Sequence, residues 1–217
     1  MKRMFFCISV FLLFTFWSSQ EVMGQSPNSA EDFMKRGVDY LLNGNYDRAI
    51  ADFTQVIKLV PNSARAYGNR GDAYAGKGDN DRAIADYNQA IRLAPNDYGA
   101  YNGRGLIYTD MDEFDKAIAD FNQVLRLHPE FIFGHLNRGC AYLYKGDLDR
   151  AIVDFTEAIR RMPTFEPYMY RGSAYFDRGD FDRAISDFEM ALKIDPNHKS
   201  ANTIRDFLNV AKLKRGR

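Results

Sequence analysis

One phrase of 17 residues is written five times in this chain, and no other feature constrains the fold as strongly. The first copy, YDRAIADFTQVIKLVPN, begins at Tyr46, and the second, NDRAIADYNQAIRLAPN, begins at Asn80. Similar copies begin at Phe114, Leu148 and Phe181. Repetition at a fixed interval of about 20–50 residues indicates structural units that stack side by side. The chain is therefore expected to form an array of similar units rather than one globular core.

Each phrase is the second part of a longer unit that begins with an Arg-Gly pair. The glycines of these pairs are separated by 34, 34, 34 and 33 residues, and they are Gly37, Gly71, Gly105, Gly139 and Gly172. A tyrosine, an alanine, an aromatic residue and a proline follow each glycine at nearly constant distances. In the first unit these residues are Tyr40, Ala49, Phe53 and Pro61.

The apolar positions within one unit predict two helices. Phe33, Gly37 and Tyr40 are spaced i, i+4, i+7, which places them on one face of a helix. Ala49 and Phe53 begin the same spacing in a second helix. Because glycine and alanine are small, the two helices can approach closely at these positions. Each unit is thus expected to be a helix pair that buries its apolar face only against its neighbours.

The turn between the paired helices has a signature of its own. A glycine there suits the left-handed conformation that ends many helices. Four units have one, namely Gly44, Gly78, Gly146 and Gly179, whereas the third has Asp112, which tolerates that conformation less well. The residues predicted to cap the N-terminus of the second helix are Asn45, Asp79, Asp147 and Asp180.

This order of glycine, tyrosine, alanine, aromatic residue and proline resembles the tetratricopeptide repeat family. The resemblance implies an all-α fold, a right-handed solenoid of antiparallel helix pairs. The repeats are assigned to residues 30–63, 64–97, 98–131, 132–164 and 165–198. The chain departs from the family pattern in every repeat, because arginine stands where leucine precedes the glycine. In the fourth repeat His135 also replaces an aromatic residue.

The last helix pair needs a cover, since a terminal repeat otherwise exposes an apolar face to water. Residues 199–217 are expected to provide a capping helix followed by a basic tail. The apolar residues that fall on one face of this helix are Ile204, Phe207, Leu208 and Ala211.

An aspartate precedes the core aromatic residue of every repeat, just as an arginine precedes every glycine. These aspartates are Asp52, Asp86, Asp120, Asp154 and Asp187. A catalytic carboxylate is needed only once, whereas a structural pair is needed in each repeat. The two rows are therefore predicted to form ion pairs between helices or between repeats.

In the family that this chain resembles, the first helices line a concave groove that holds a peptide or protein segment. Carried over by position, the groove residues are Asn69, Asn102, Leu106, Phe133, Asn137, Tyr144, Tyr170 and Phe176. Aromatic residues are enriched in recognition surfaces, but each could instead pack between repeats. Gly68, Gly99 and Gly103 are expected to leave room for partner side chains. The repeated lysines of the family's carboxylate-clamp variant are missing, and the convex face remains an alternative binding surface.

The expected function is a non-catalytic scaffold for a protein or peptide partner, without metal or cofactor. The chain has no nucleotide-binding, serine-hydrolase or zinc-binding motif. Its 29 basic and 29 acidic residues balance, which argues against a nucleic-acid partner. Two alternatives remain open. One is an accessory subunit of an envelope enzyme or secretion complex, and the other is association with a membrane surface through the basic tail.

The N-terminus has the pattern of an export signal. Two basic residues precede an uncharged, mainly apolar run of 14 residues from Met4 to Trp17. This run is shorter than the ~20 residues that a membrane helix needs. Val22 and Gly24 are small residues at the positions that precede a cleavage site. The mature protein is expected to be secreted or periplasmic, with no strong membrane association, and an uncleaved anchor is the alternative.

Cleavage should remove residues 1–24 and leave residues 25–29 as a short linker before the first repeat. Edman sequencing of the soluble exported protein should therefore start near Gln25. Recovery of the chain with an intact Met1 from the membrane fraction would instead identify an uncleaved anchor.

Overall fold

The computed structural model describes residues 29–216, so the predicted signal peptide lies outside the described residues. The described part consists of eleven α-helices joined by short turns, without β-strands. In chain order they are α1 (Ala30–Leu42), α2 (Tyr46–Leu59), α3 (Ala64–Gly76), α4 (Asn80–Leu93), α5 (Tyr98–Asp110), α6 (Phe114–Leu127), α7 (Ile132–Lys145), α8 (Leu148–Arg161), α9 (Phe165–Arg178), α10 (Phe181–Ile194) and α11 (Ala201–Arg215). The expected all-α repeat fold is confirmed.

The helices form two compact halves, with the division between Ile107 and Tyr108 inside α5. In each half a second helix packs against the first helix of its own repeat and against that of the next, as α2 does with α1 and α3, and α8 with α7 and α9. Successive first helices also contact each other, whereas successive second helices approach less closely. The first helices therefore lie on the inner, concave side of each half.

The closest packing in a repeat joins a glycine of the first helix to an aromatic ring of the second. The rings that are fully buried are Phe53, Phe121, Phe155 and Phe188. A Cβ atom at Gly37 would lie 2.7 Å from the ring of Phe53. A Cβ atom at Gly172 would lie equally close to Phe188, at 2.7 Å. Such distances are shorter than those that non-bonded carbon atoms adopt, so glycine is required where the paired helices cross.

The arginine before each of these glycines binds the aspartate before the aromatic ring. Nε and Nη2 of Arg171 donate to the two carboxylate oxygens of Asp187, both at 2.8 Å, and Asp187 is only 4% exposed. The same two-point contact is made by Arg36 with Asp52, Arg70 with Asp86, and Arg138 with Asp154. The predicted ion pairs are thus confirmed within these four repeats. Each compensates a carboxylate whose burial would otherwise be costly.

The remaining guanidinium nitrogen, Nη1, links consecutive repeats. Nη1 of Arg138 donates to Oδ1 of Asn122 at 2.7 Å, and Nη1 of Arg70 donates to the hydroxyl of Thr54 at 3.1 Å. Arg104 contacts Asn88, and Arg171 contacts Thr156, in the same way. These acceptors belong to the second helix of the preceding repeat. One arginine therefore holds the helices of its own repeat together and also attaches them to the repeat before.

The turns within the repeats agree with the predicted left-handed ends. The four glycines at these turns have φ between +70° and +87°, and they are Gly44, Gly78, Gly146 and Gly179. Asp112 adopts φ of +58° in the third repeat. The tetrahedral Cβ of an aspartate is tolerated there at a cost that glycine avoids.

All four predicted residues stand at the N-cap of their helices, and three of them make a capping hydrogen bond. Asp79, Asp147 and Asp180 accept hydrogen bonds from the first turn of their helices. Asn45 makes no such bond. At Asp79 the carboxylate is also held by Nε of Arg82 at 2.6 Å. A neutral amide at Asn45 cannot form this ion pair.

Helix α11 covers α10 and closes the C-terminal end of the stack. Its buried side chains are Ala201, Ile204, Leu208 and Ala211. Phe207 is half-buried, and its ring lies 6.1 Å from that of Phe188. The apolar face predicted for the capping helix is therefore confirmed. Lys212 and Arg215 of the basic tail pair with carboxylates of α10.

Replacing Gly37 with alanine should destabilise the N-terminal half by about 1–3 kcal/mol, because the added methyl group overlaps the buried ring of Phe53. Gly68→Ala is the matched control, since Gly68 lies in the next first helix with open space around it. That variant should gain up to about 1 kcal/mol from helix propensity. Urea unfolding followed by circular dichroism compares them, and equal stabilities would contradict the Gly-Phe contact.

A double-mutant cycle on Arg171 and Asp187 should give a coupling free energy of about 1–3 kcal/mol, because the carboxylate is buried and held at two points. Lys145 and Asp115 form the control pair, with a contact of 2.5 Å but with side chains that are 37% and 84% exposed. Their coupling should be below about 0.5 kcal/mol. Thermal or urea unfolding measures both cycles. A coupling near zero for the buried pair would contradict the structural role of the Arg-Asp pairs.

Candidate partner-binding surface

The eight residues predicted to line the groove are divided between the two halves. The N-terminal half holds Asn69, Asn102 and Leu106, and the C-terminal half holds Phe133, Asn137, Tyr144, Tyr170 and Phe176. All eight lie on first helices, which form the concave side of each half. They differ in exposure, and exposure decides which of them a partner can reach.

Three of the eight are buried in the folded chain. Asn102 is 3% exposed, Asn137 is 6% exposed and Tyr170 is 6% exposed. The ring of Tyr170 stacks on Phe155 of the preceding repeat, with centroids 5.6 Å apart and planes at 19°. Tyr170 thus packs between repeats, which is one of the two roles that the sequence left open for each aromatic residue.

The N-terminal half offers a mainly polar concave surface. Asn69 is half-buried, and its Nδ2 donates to the sulfur of Met34 at 3.4 Å, which joins α3 to α1. A thioether is a weak acceptor, so this bond competes poorly with a partner's carbonyl group. Leu106 is also half-buried.

The space at Gly103 is filled by the chain itself. A Cβ atom at Gly103 would lie 2.6 Å from the ring of Tyr87, a buried residue of α4. The expectation that this glycine leaves room for a partner was therefore wrong, because the side chain of Tyr87 already fills the space. Gly68 does have open space around it.

The C-terminal half presents partly exposed aromatic side chains on its concave side. Phe133 is 36% exposed, and its ring lies 5.8 Å from that of Phe131. Tyr144 is half-buried beside Phe114, at 6.2 Å between centroids. These two residues of α7 remain accessible to a partner.

Phe176 is more enclosed than the sequence suggested. Its half-buried ring meets Phe181 at 5.6 Å and Phe207 at 5.3 Å, both edge-on. Phe207 belongs to α11, so the capping helix covers a position that the repeat pattern assigns to the groove. Only an alignment of the capping helix with a sixth first helix could have indicated this contact.

Three carboxylates of the first helices also belong to this surface, and two of them, Asp72 and Asp110, take groove positions of the family by sequence. Desolvation raises the pKa of Asp72, Asp110 and Asp177 above the ordinary value for aspartate. All three touch water, yet they lie where surrounding protein displaces much of their hydration. The hydroxyl of Tyr87 donates to Oδ1 of Asp72 at 2.7 Å, which partly offsets this effect.

Residues 34–98, 69–130 and 136–199 match the family model of the tetratricopeptide repeat. The chain belongs to the tetratricopeptide repeat family. The matched segments cover well over half of its length. Curated protein sequences give no match to the chain.

Solved tetratricopeptide repeat structures share the fold over most of the chain. The crystal structure of the MamA protein is 25% identical, with a TM-score of 0.69 over 80% of this chain and 94% of MamA. TTC0263, a thermophilic TPR protein in Thermus thermophilus, is 20% identical, with a TM-score of 0.65 over 85% of this chain and 100% of that protein. YrrB, described as a TPR protein with an unusual peptide-binding site, is 18% identical, with a TM-score of 0.69 over 82% of this chain and 92% of YrrB.

His135, which stands where the family pattern has an aromatic residue, contacts one of the aspartates that pair with arginine. Nδ1 of His135 lies 3.2 Å from Oδ1 of Asp154, which also binds Arg138. Cys140 is buried and forms no disulfide. Between residues 29 and 216, no three histidine, cysteine, aspartate or glutamate side chains are placed to hold a metal ion together. No helix in that range has the length and apolar character of a membrane span.

Proposed function

We propose that this tetratricopeptide repeat protein is an exported, non-catalytic scaffold that binds a segment of a partner protein on the concave face of its C-terminal half. We use "concave face" for the inner surface of α7 and α9 together with the C-terminal end of α5. The proposal is carried by one observation. Phe133 and Tyr144 of α7 remain partly exposed there, whereas Phe155 and Phe188 of the second helices are fully buried.

Partly exposed aromatic rings favour binding because their burial removes apolar surface from water. This contributes about 25 cal/mol for each Å² buried. Leu136 and Leu143 of the same helix are half-buried, so the rings continue into a wider apolar surface. Apolar surface on a concave side is typical of sites that bind another molecule. Neither Phe133 nor Tyr144 takes part in the Gly-Phe packing that holds the repeats together.

The family membership supports a protein or peptide as the class of partner. YrrB, described as having a peptide-binding site, shares this fold. Export rests on the N-terminal pattern of charged, apolar and small residues. An accessory subunit of an envelope enzyme or secretion complex would use the same surface and differ only in the identity of its partner.

Photocrosslinking from single positions tests the proposed surface in the native envelope. A photoreactive phenylalanine analogue at position 133 should give a crosslinked product with a partner, because Phe133 lies on the proposed surface. The matched control is the same analogue at position 153, since Val153 of α8 is 67% exposed but lies on a second helix. Crosslinked products from position 153 with none from position 133 would show that the partner binds on the convex side.

The partner identified in this way then allows affinity measurements. Phe133→Ala combined with Tyr144→Ala should weaken binding by about 2 kcal/mol or more, about 30-fold, because aromatic anchors dominate many interfaces. Val153→Ala should leave binding unchanged. Circular dichroism must show that all variants retain their helices, and normal affinity of the folded double variant would refute the role of these rings.

A further inference from the structure

The cationic side chains of the first helices in the C-terminal half are paired with aspartates of the second helices. The lysines and arginines of α7 and α9 are Arg138, Lys145, Arg171 and Arg178. Each binds an aspartate of a second helix, with nitrogen–oxygen distances of 2.5 to 2.9 Å. All of this positive charge is therefore directed away from the concave face.

Two carboxylates remain on the concave side, and both stand in unfavourable places. Asp110 ends α5, and Asp177 lies in the last turn of α9, where the negative end of the helix dipole disfavours an anion. Neither has an ion-pair partner among residues 29–216. Desolvation by the surrounding protein raises the pKa of each, although both side chains remain exposed. The fold gains nothing from these charges, and such exceptions to local rules are expected at functional sites.

The two carboxylates are in register with an accessible aromatic residue. Asp110, Tyr144 and Asp177 occupy the same position in three successive repeats. Neighbouring packed helices are about 8–10 Å apart, so the shared register places the two carboxylates on either side of Tyr144, at an expected separation of about 20 Å. An anion, an aromatic ring and an anion thus follow one another along the concave side.

The chain itself shows that the edge of this surface attracts a cation. Nζ of Lys214, in the basic tail of α11, lies 5.4 Å from the ring centroid of Phe176 and 5.5 Å from that of Phe181. These distances are within the range of a cation–π contact. Phe176 directly precedes Asp177, so an ammonium group already rests on the aromatic residue beside one of the two carboxylates.

We propose that the segment bound on the concave face carries lysine or arginine on both sides of an apolar side chain. This partner chemistry rests on the proposed function and makes it specific. The apolar side chain meets Tyr144, and the flanking cations meet Asp110 and Asp177. An extended chain rises about 3.3 Å per residue, so cations about six residues apart span the two carboxylates. An acidic segment would be repelled by the same charges.

Three synthetic peptides test this proposal by fluorescence anisotropy with the chain from Gln25 onward. They share one apolar centre and carry paired lysines, glutamines or glutamates about six residues apart. The lysine peptide should bind about tenfold more tightly than the glutamine peptide, and the glutamate peptide more weakly than both. The affinity of the lysine peptide should fall as salt is raised, because salt screens contacts between exposed charges.

Asp110→Asn combined with Asp177→Asn should remove the preference for the lysine peptide, with a loss of about tenfold in its affinity. Asp206→Asn is the matched control, because Asp206 is an exposed carboxylate of α11 in the same half, and it should change nothing. The double variant should unfold at the same or a higher urea concentration, since it removes two desolvated charges.

Equal binding of the three peptides, an unchanged affinity of the double variant, or no binding of the lysine peptide at millimolar concentration would each overturn the partner chemistry. None of these results touches the proposed function itself. That function is judged by crosslinking from position 133, which does not depend on the charge of the partner.

Discussion

The fold depends on one contact that recurs through the stack, an aromatic ring lying directly on the backbone of a glycine. The distance of 2.7 Å from a hypothetical Cβ atom at Gly37 to Phe53 shows that no other residue fits without displacement of the ring. First-helix aromatic residues outside this packing face either pack between repeats, as Tyr170 does, or remain partly exposed, as Phe133 does.

The arginines that precede the repeat glycines fix the register of the helices rather than adding much net stability. A buried ion pair recovers little more than the desolvation that it costs, but removal of one partner is expensive. In this chain the same guanidinium also binds the preceding repeat, as Arg138 does through Asn122. A slip of one repeat against the next would break both contacts at once. The row therefore favours a single register of helices, a function that leucine at the same position could not perform.

The sequence predicts the features that every repeat needs. Helix pairs, left-handed turns and the Arg-Asp row recur with the period of the chain, so each is supported several times over. Features that occur once could not be predicted in this way. The loss of open space at Gly103 follows from a single tyrosine in the second repeat, and the cover over Phe176 comes from Phe207, which lies outside the repeats. All eight candidate residues lie on first helices, but the repeat pattern could not show that Asn102, Asn137 and Tyr170 are buried.

The same pairing that orders the repeats also determines the charge of the surface that remains. Each ion pair between a first-helix cation and a second-helix carboxylate removes one positive charge from the inner surface. Carboxylates such as Asp177 that are outside these pairs then dominate that surface, although the net formal charge of the chain is zero. In the C-terminal half the cations of α7 and α9 are thus held against second helices, while Asp110 and Asp177 stay outside any ion pair among the described residues. The proposed basic partner follows from this arrangement, because a segment on the concave face would displace water from these anions and apolar contacts alone would leave that cost uncompensated.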